Sequence, residues 1–235
     1  MKKTVLALLM VMSLFCGSTW AYQVTIDRLP GYFAGSGGEF TVTPAFPATA
    51  PWPGILALYS PQTSSQKPPS LQTFCIEMSE GISIPGTYDV QISDRASWGG
   101  VGPAGDPLSQ GAAWLYHEFQ SLRGLQGYDY TVGAGRAASA EALQATFWWL
   151  EDATADPGAT NPLRELILSR FGTLANAQVD NNGLYDVAVL NITTLQGVRQ
   201  QDMLVCYHQV PEPGTLMFLG AGLAGLGFAI RRRKK

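Results

Sequence analysis

The chain has 235 residues and a net charge of −3 at pH 7, and only 14% of its residues are charged. Eight basic and 17 acidic residues lie between Tyr22 and Val210, so this central part carries a net charge of −9. A surface of that sign repels the phosphate backbone, which excludes nucleic acid as a partner. The 26 glycines and 15 prolines favour turns and strands over a helical bundle, and the length suits one domain.

The first 21 residues have the three parts of a secretory signal peptide. Two lysines follow the initiating methionine, an apolar run extends from Val5 to Phe15, and Thr19 and Ala21 suit positions −3 and −1 of a cleavage site. We therefore expect residues 1–21 to direct the chain into the Sec export machinery and to be removed. An uncleaved membrane anchor is the alternative, although the run is short for a membrane span.

Residues 22–209 are predicted to form one extracellular α+β domain. Runs of β-favouring residues, separated by turns rich in Gly and Pro, predict strands near its beginning and its end. The predicted strands are Glu39–Thr43, Gly54–Tyr59, Leu71–Met78, Thr87–Ile92, Leu184–Ile192 and Met203–Gln209, of which the third and fourth form a hairpin across Pro85-Gly86.

In the middle of the domain the apolar residues change to a helical spacing. The predicted helices run from Ser109 to about Leu122, from Ser139 to about Asp152 and from Asn161 to about Gly172, with the two serines as N-caps and a proline opening the third. This order of strands, helices and strands predicts an antiparallel, barrel-like sheet with about three helices inserted between its strands.

The chain has three cysteines, and Cys16 falls within the predicted signal peptide. The exported domain therefore keeps Cys75 and Cys206, and an oxidising compartment permits a disulfide between them. Such a bridge would tie the last strand to the sheet. A small buried thiol at Cys75 is the other reading of this residue in its predicted strand.

Gln144 stands out on the second predicted helix. Leu143, Phe147 and Leu150 form the apolar stripe of that helix, and Gln144 lies beside the stripe with Trp148 one turn later. An amide that is at least partly buried needs hydrogen-bond partners or a covalent partner. Both a hydrogen-bonded amide at the edge of the core and a reactive amide remain open at this point.

The strand Phe74-Cys75-Ile76-Glu77 and the helical segment Gln144-Ala145-Thr146-Phe147-Trp148 together resemble the surface thioester domains of bacterial adhesins. The resemblance implies that the Cys75 sulfur and the Gln144 carbonyl carbon join with loss of ammonia. A nucleophile of the target, typically a lysine amine, would then attack this thioester. The resemblance also implies a pocket, walled by Phe74, Phe147 and Trp148, that excludes water.

Residues 210–235 have three parts in a set order. The motif Pro211-Glu212-Pro213 precedes an apolar run over residues 215–230, and five basic residues end the chain. This arrangement resembles the PEP-CTERM sorting signal of Gram-negative bacteria. The resemblance implies processing by an exosortase, transient anchoring in the membrane through residues 215–230, and arrival at the cell surface or in the extracellular matrix. An ordinary C-terminal anchor is the alternative.

Taken together, these features predict an exported surface protein for adhesion or matrix attachment, whose partner is a cell-surface or matrix protein or polysaccharide. The alternative is a noncovalent structural protein of the exopolysaccharide or biofilm matrix with a Cys75–Cys206 disulfide. His117 and His208 stand alone, without the spacing of metal ligands, and no acid–base pair is visible. We therefore expect no metal, no cofactor and no enzymatic activity.

Overall fold

Strands surround the core of the domain in a single large sheet. The computed structural model describes residues 22–45, 51–66, 69–97 and 104–208. The strands in these ranges are β1 (Tyr22–Asp27), β2 (Phe40–Pro44), β3 (Ser64–Gln66), β4 (Pro69–Thr73), β5 (Gly86–Ser93), β6 (Arg95–Ala96), β7 (Asp106–Pro107), β8 (Val187–Thr193) and β9 (Met203–Cys206). Seven of them form an antiparallel sheet in the order β3-β4-β2-β1-β5-β8-β9, and β6 pairs with β7 alone.

The sheet nearly closes into a barrel. After β4 the chain continues alongside β9, where Cys75 lies opposite Met203. Two backbone hydrogen bonds of 3.1 Å flank this pair, one on each side. The segment after β4 thus links the two ends of the sheet order, which confirms the predicted barrel-like antiparallel core.

Three long helices stand between β7 and β8, as the sequence predicted. The helices in the described ranges are α1 (Trp52–Leu56), α2 (Gln110–Gln120), α3 (Ala134–Leu150), α4 (Pro162–Phe171) and α5 (Leu174–Ala177), and a 3₁₀ turn (Leu184–Asp186) precedes β8. Only α2, α3 and α4 among these exceed seven residues. The inserted helices cover the sheet, and α2 packs against both β8 and β9.

Two of the three predicted helix starts are confirmed. The Ser109 side chain accepts a hydrogen bond from the backbone N–H of Ala112, and the Asn161 side chain accepts one from the N–H of Leu163. The prediction for α3 is wrong, because this helix starts at Ala134, five residues before Ser139. Ser139 lies inside the helix, and its hydroxyl instead accepts a hydrogen bond from the N–H of Asp129 at 3.0 Å.

Two predictions for the sheet are also wrong. The segment Gly54–Tyr59, predicted as a strand, contains the end of α1, in which Trp52 and Ile55 are buried at helical spacing. The predicted hairpin does not form, because β4 pairs with β2 and β3 while β5 pairs with β1 and β8. Strand β1 was not predicted from the sequence, and in the sheet β1 and β2 separate β4 from β5.

Aromatic packing sets the position of the segment that closes the barrel. The ring of Phe74 lies edge-on to that of Phe119 in α2, with centroids 5.1 Å apart, and 5.3 Å from that of Phe147 in α3. All three side chains are fully buried. Phe74 packs against both α2 and α3. Its neighbour Cys75 therefore lies next to the part of α3 that crosses the sheet.

A buried ion pair anchors the first turn of α3 to the sheet. Arg136 and Glu39 are 2% and 0% exposed, and two hydrogen bonds of 2.6 and 2.7 Å join the guanidinium to both carboxylate oxygens. The hydroxyl of Tyr128 donates a further bond to Glu39 at 2.6 Å. Two of the three remaining guanidinium hydrogens reach the carbonyls of Gln62 and Tyr130. Both carboxylate oxygens and all three guanidinium nitrogens are thus hydrogen-bonded, which offsets the cost of burying the two charges.

We expect Arg136→Met to lower the free energy of unfolding by about 3–5 kcal/mol, because it leaves the Glu39 carboxylate buried without its counterion. Urea unfolding of the full chain measures this change. The double variant Arg136→Met/Glu39→Leu should lose much less, since no charge is left in the interior. Arg164→Met removes the surface ion pairs with Asp156 and Glu165 and serves as the control with little effect. Equal losses in the single and double variants would contradict this account.

Candidate functional site

The backbone of Cys75 faces away from β9. The carbonyl of Phe74 accepts a hydrogen bond from the N–H of Leu204, and the carbonyl of Asp202 accepts one from the N–H of Ile76. When the two neighbours of a residue bond to one strand, the N–H and C=O of the residue between them point to the opposite side. Cys75 therefore presents both of its backbone polar groups to the interior of the domain, where they need partners.

The side chain of Gln144 occupies the place that a neighbouring strand would take. The register between β2 and β4 ends at Thr73, so β2 does not reach Cys75. Gln144 Oε1 accepts a hydrogen bond from the Cys75 N–H at 3.0 Å, and Gln144 Nε2 donates one to the Cys75 carbonyl at 2.8 Å. Gln144 and Cys75 are 1% and 3% exposed. The structure thus brings the strand cysteine and the helix glutamine together in a buried position.

Packing of α3 explains why Gln144 faces this point. Leu143 and Phe147 are fully buried and fix the rotation of the helix against the core. Gln144 follows Leu143 directly and therefore lies at the edge of this buried face. That edge of the helix contacts the segment that closes the barrel. Of the three residues predicted to wall a pocket, Phe74 and Phe147 lie in the core behind Cys75, whereas Trp148 lies beside the glutamine.

A glycine loop covers the carboxamide. A Cβ added to Gly37 would come closer than van der Waals distance to Gln144 Cγ and would lie 3.1 Å from Gln144 Cδ and 3.0 Å from Trp148 Cη2. Only a residue without a side chain allows the backbone to approach this closely. The loop and the Trp148 ring therefore shield the Gln144 carboxamide from solvent.

Arg28 holds the covering loop in place, a role that was not predicted from the sequence. Its guanidinium donates hydrogen bonds to the carbonyls of Gly35, at 3.3 Å, and Ser36. The same group lies over the rings of Phe33 and Phe40, 4.8 and 4.3 Å from their centroids. The sequence around a single arginine after a strand does not predict such a role, because the carbonyls that it binds belong to a loop of irregular structure.

The thiol of Cys75 is neutral in this environment. Burial raises the pKa of Cys75 well above its usual range, and the charge of Glu80 adds to that rise, whereas the nearby Arg28 opposes it. Burial correspondingly lowers the pKa of Arg28. A neutral thiol and a neutral carboxamide can share a site of low polarity at little electrostatic cost.

The alternative Cys75–Cys206 disulfide is not present in the structure, where both cysteines are free and buried. Cys75 lies opposite Met203, and Cys206 follows three residues later on β9. This offset corresponds to about 10 Å along a strand, and an odd number of residues turns the side chain to the other face. Disulfide geometry requires Cα atoms within about 7 Å.

The two histidines lie apart from this site. His117 Nδ1 is 2.9 Å from the carbonyl oxygen of Tyr185, and His208 lies 2.9 Å from the carboxylate of Asp186. Within the described ranges, no group of three or more His, Cys, Asp or Glu side chains is arranged to hold a metal ion.

Comparison with known protein families identifies the C-terminal end of the chain. Residues 209–234 match the family of the PEP-CTERM protein-sorting motif, and the match includes the predicted Pro211-Glu212-Pro213. This finding supports an exported surface protein that is sorted by an exosortase, with transient anchoring through the sorting signal. No curated protein and no solved structure matches the chain.

The predicted signal peptide (1–21), the sorting motif and the apolar run 215–230 lie outside the described residues. In the part of the chain that the structure does describe, each helix is too short or too polar to cross a membrane.

We expect Gly37→Ala to lower the free energy of unfolding by about 1–3 kcal/mol, because the added methyl group must displace Gln144 from its hydrogen bonds with Cys75. Urea unfolding of the full chain checks this value. Gly81→Ala is the matched control, since a Cβ there meets no atom within 4 Å. An unchanged stability in Gly37→Ala would show that the loop does not press on the carboxamide.

Proposed function

We propose that this chain is an exosortase-sorted surface protein whose domain attaches covalently to its target through a thioester between Cys75 and Gln144. The observation that carries the proposal is the pair of hydrogen bonds that fixes the Gln144 carboxamide against the Cys75 backbone. These bonds hold the carboxamide against the residue that carries the proposed nucleophile, and such positioning lowers the entropic barrier to an acyl transfer. The sorting signal supports a role for the domain at the cell surface.

The proposed chemistry has two steps, formation of the thioester and its attack by an amine. The Cys75 sulfur attacks Gln144 Cδ, the bond from Cδ to Nε2 breaks, and the thiol proton leaves with the nitrogen as ammonia. A primary amine of the target then attacks the same carbon, the C–S bond breaks, and the thiol is regenerated beside a new amide. Neither step needs an oxidant, a reductant or a metal ion.

The surroundings of the two side chains favour survival of such a bond. Water hydrolyses thioesters, and here Gly37 and Trp148 cover the carboxamide while Arg28 holds the loop by its carbonyls. The chain also has few amines of its own that could react, since Lys67 is the only lysine between residues 4 and 233. A low content of charged residues accounts for part of that scarcity.

A noncovalent structural protein of the extracellular matrix is the second candidate function. One observation favours it: the Gln144 amide satisfies both the N–H and the C=O of Cys75, and a buried backbone residue needs such partners in any case. In that case Gln144 only completes the barrel closure and remains an intact amide.

Intact-mass measurement of the purified full chain separates the two candidates. A thioester lowers the mass by about 17 Da through loss of ammonia, and methylamine then adds about 31 Da at Gln144. We expect both changes, together with one thiol at Cys75 that becomes available to alkylation only after methylamine treatment. An unmodified mass, with Cys75 and Cys206 both open to alkylation in the unfolded chain, would leave the noncovalent function.

Three variants serve as controls for this measurement. Cys75→Ser and Gln144→Glu each remove one member of the proposed bond and should abolish both mass changes. Cys206→Ala should retain them, because Cys206 lies on the opposite face of its strand. A mass lower by about 2 Da that disappears in Cys206→Ala would instead indicate a disulfide.

A further inference from the structure

An acidic cavity lies at the end of α3, separate from the Cys75–Gln144 contact. It has a volume of about 460 Å³ and is bounded by the C-terminus of α3, the N-terminus of α2, β7 and the chain after Cys75. Five carboxylates line it: Glu77, Asp106, Glu151, Asp152 and Asp180. None of the lining residues that the structure describes is basic. The cavity is therefore a region of negative potential, which strengthens as its carboxyl groups lose their protons.

Glu77 gives the second observation that indicates a ligand site. Its side chain is only 5% exposed, yet its Oε1 atom has no hydrogen-bond partner in the structure. Burial of a carboxylate oxygen without a donor lowers the stability of the folded state, so such atoms are rare in native proteins. Glu77 lines the cavity, so a donor bound there lies beside its carboxyl group, and a rotation of that group brings Oε1 to the donor.

Glu151 presents a second carboxylate from the end of α3. Its Oε1 accepts hydrogen bonds from the hydroxyl and the N–H of Ser109, at 2.7 and 3.3 Å. Glu151 is also the C-terminal cap residue of α3. The last carbonyls of a helix carry partial negative charge, so this end of the helix adds to the attraction for a cation.

The carboxylates of the cavity repel one another. Burial, and then the charges of Asp106, Glu80 and Asp202, raise the pKa of Glu77 to about 7. Burial likewise raises the pKa of Glu151 to about 8, against the hydrogen bonds from Ser109 and with the help of Asp106 and Glu77.

Asp106 faces Asp152 and Asp180 inside the same cavity, and its pKa is also raised, chiefly by burial. Arg95 is the basic residue whose charge reaches Asp180, but its guanidinium pairs with Asp94 at 3.0 Å. A bound cation would relieve these repulsions.

We propose that this cavity binds a primary ammonium group of a partner, presented by a lysine side chain or by an amino sugar. The volume falls within the range of small-ligand sites, about 300–1,000 Å³. The absence, among the described residues, of three converging metal ligands argues against a metal ion. A guanidinium prefers both oxygens of one carboxylate, whereas Glu151 already uses one of them with Ser109. An ammonium has three separate donors and suits single oxygens of several residues.

Neither Cys75 nor Gln144 lines the cavity, so binding of an ammonium group there is independent of the proposed thioester. To keep the two apart, binding is measured in a Cys75→Ser background, in which no thioester can consume an amine. The probes are N-acetyl-lysine amide and glucosamine, titrated by calorimetry into the full chain purified in detergent. We expect saturable binding of at least one probe, and the preferred probe identifies a peptide or a sugar as the partner.

Charge-neutral variants test the assigned residues. At pH 9, where both groups are ionised, Glu77→Gln and Glu151→Gln should each weaken binding about tenfold or more, since charge-assisted hydrogen bonds are lost. Glu141→Gln, an exposed position on the same helix, removes an equal charge outside the cavity and should leave the affinity unchanged. Circular dichroism checks that each variant is folded, and Glu77→Asp provides a variant that keeps the charge.

The affinity for N-acetyl-lysine amide should rise between pH 6 and pH 9. Over this interval Glu77 and Glu151 lose their protons, with pKa values of about 7 and 8, while the alkylammonium group stays charged. A pH-independent affinity, an equal response to potassium or guanidinium ions, or preferential binding of calcium would each overturn the assignment. So would the absence of saturable binding by both probes.

Discussion

The closure of the barrel by the segment Phe74–Ile76 is the constraint on which the candidate site depends. Because the neighbours of Cys75 bond to β9, the backbone groups of Cys75 itself point to the side that β2 does not reach. A buried gap in a ladder must be filled by another polar group, and the Gln144 carboxamide provides both a donor and an acceptor. The contact that supports the proposed reaction thus arises from the same requirement that completes the sheet.

Two buried acidic residues, Glu39 and Glu77, differ in the donors that surround their carboxyl groups. Glu39 lies in the core with a complete set of donors from Arg136 and Tyr128, so its charge is balanced where it is buried. Glu77 is almost as deeply buried but has an oxygen without a donor, and its neighbours are other carboxylates. The first arrangement holds α3 on the sheet, whereas the second leaves attraction for a cation in the cavity beside it.

Much of the helical part of the fold could be predicted, and much of the strand pairing could not. Ser109 and Asn161 cap their helices through contacts two or three residues away, which a sequence pattern reveals directly. The hairpin between β4 and β5 was a wrong prediction, because the choice of strand partners depends on β1 and β2 from much earlier in the chain. The prediction of a strand at Gly54–Tyr59 was wrong because packing of Trp52 and Ile55 at helical spacing outweighs local β propensity.

The sequence by itself determined the features that depend on short segments. These are the order of parts in the sorting signal, the α+β class, and the choice of Cys75 and Gln144 as residues of interest. Only the tertiary structure decided that the Gln144 side chain meets the Cys75 backbone, that Cys206 faces the other way, and that Arg28 holds the covering loop. The physical reason is separation along the chain: Cys75 and Gln144 lie 69 residues apart, and barrel closure together with helix packing brings them together.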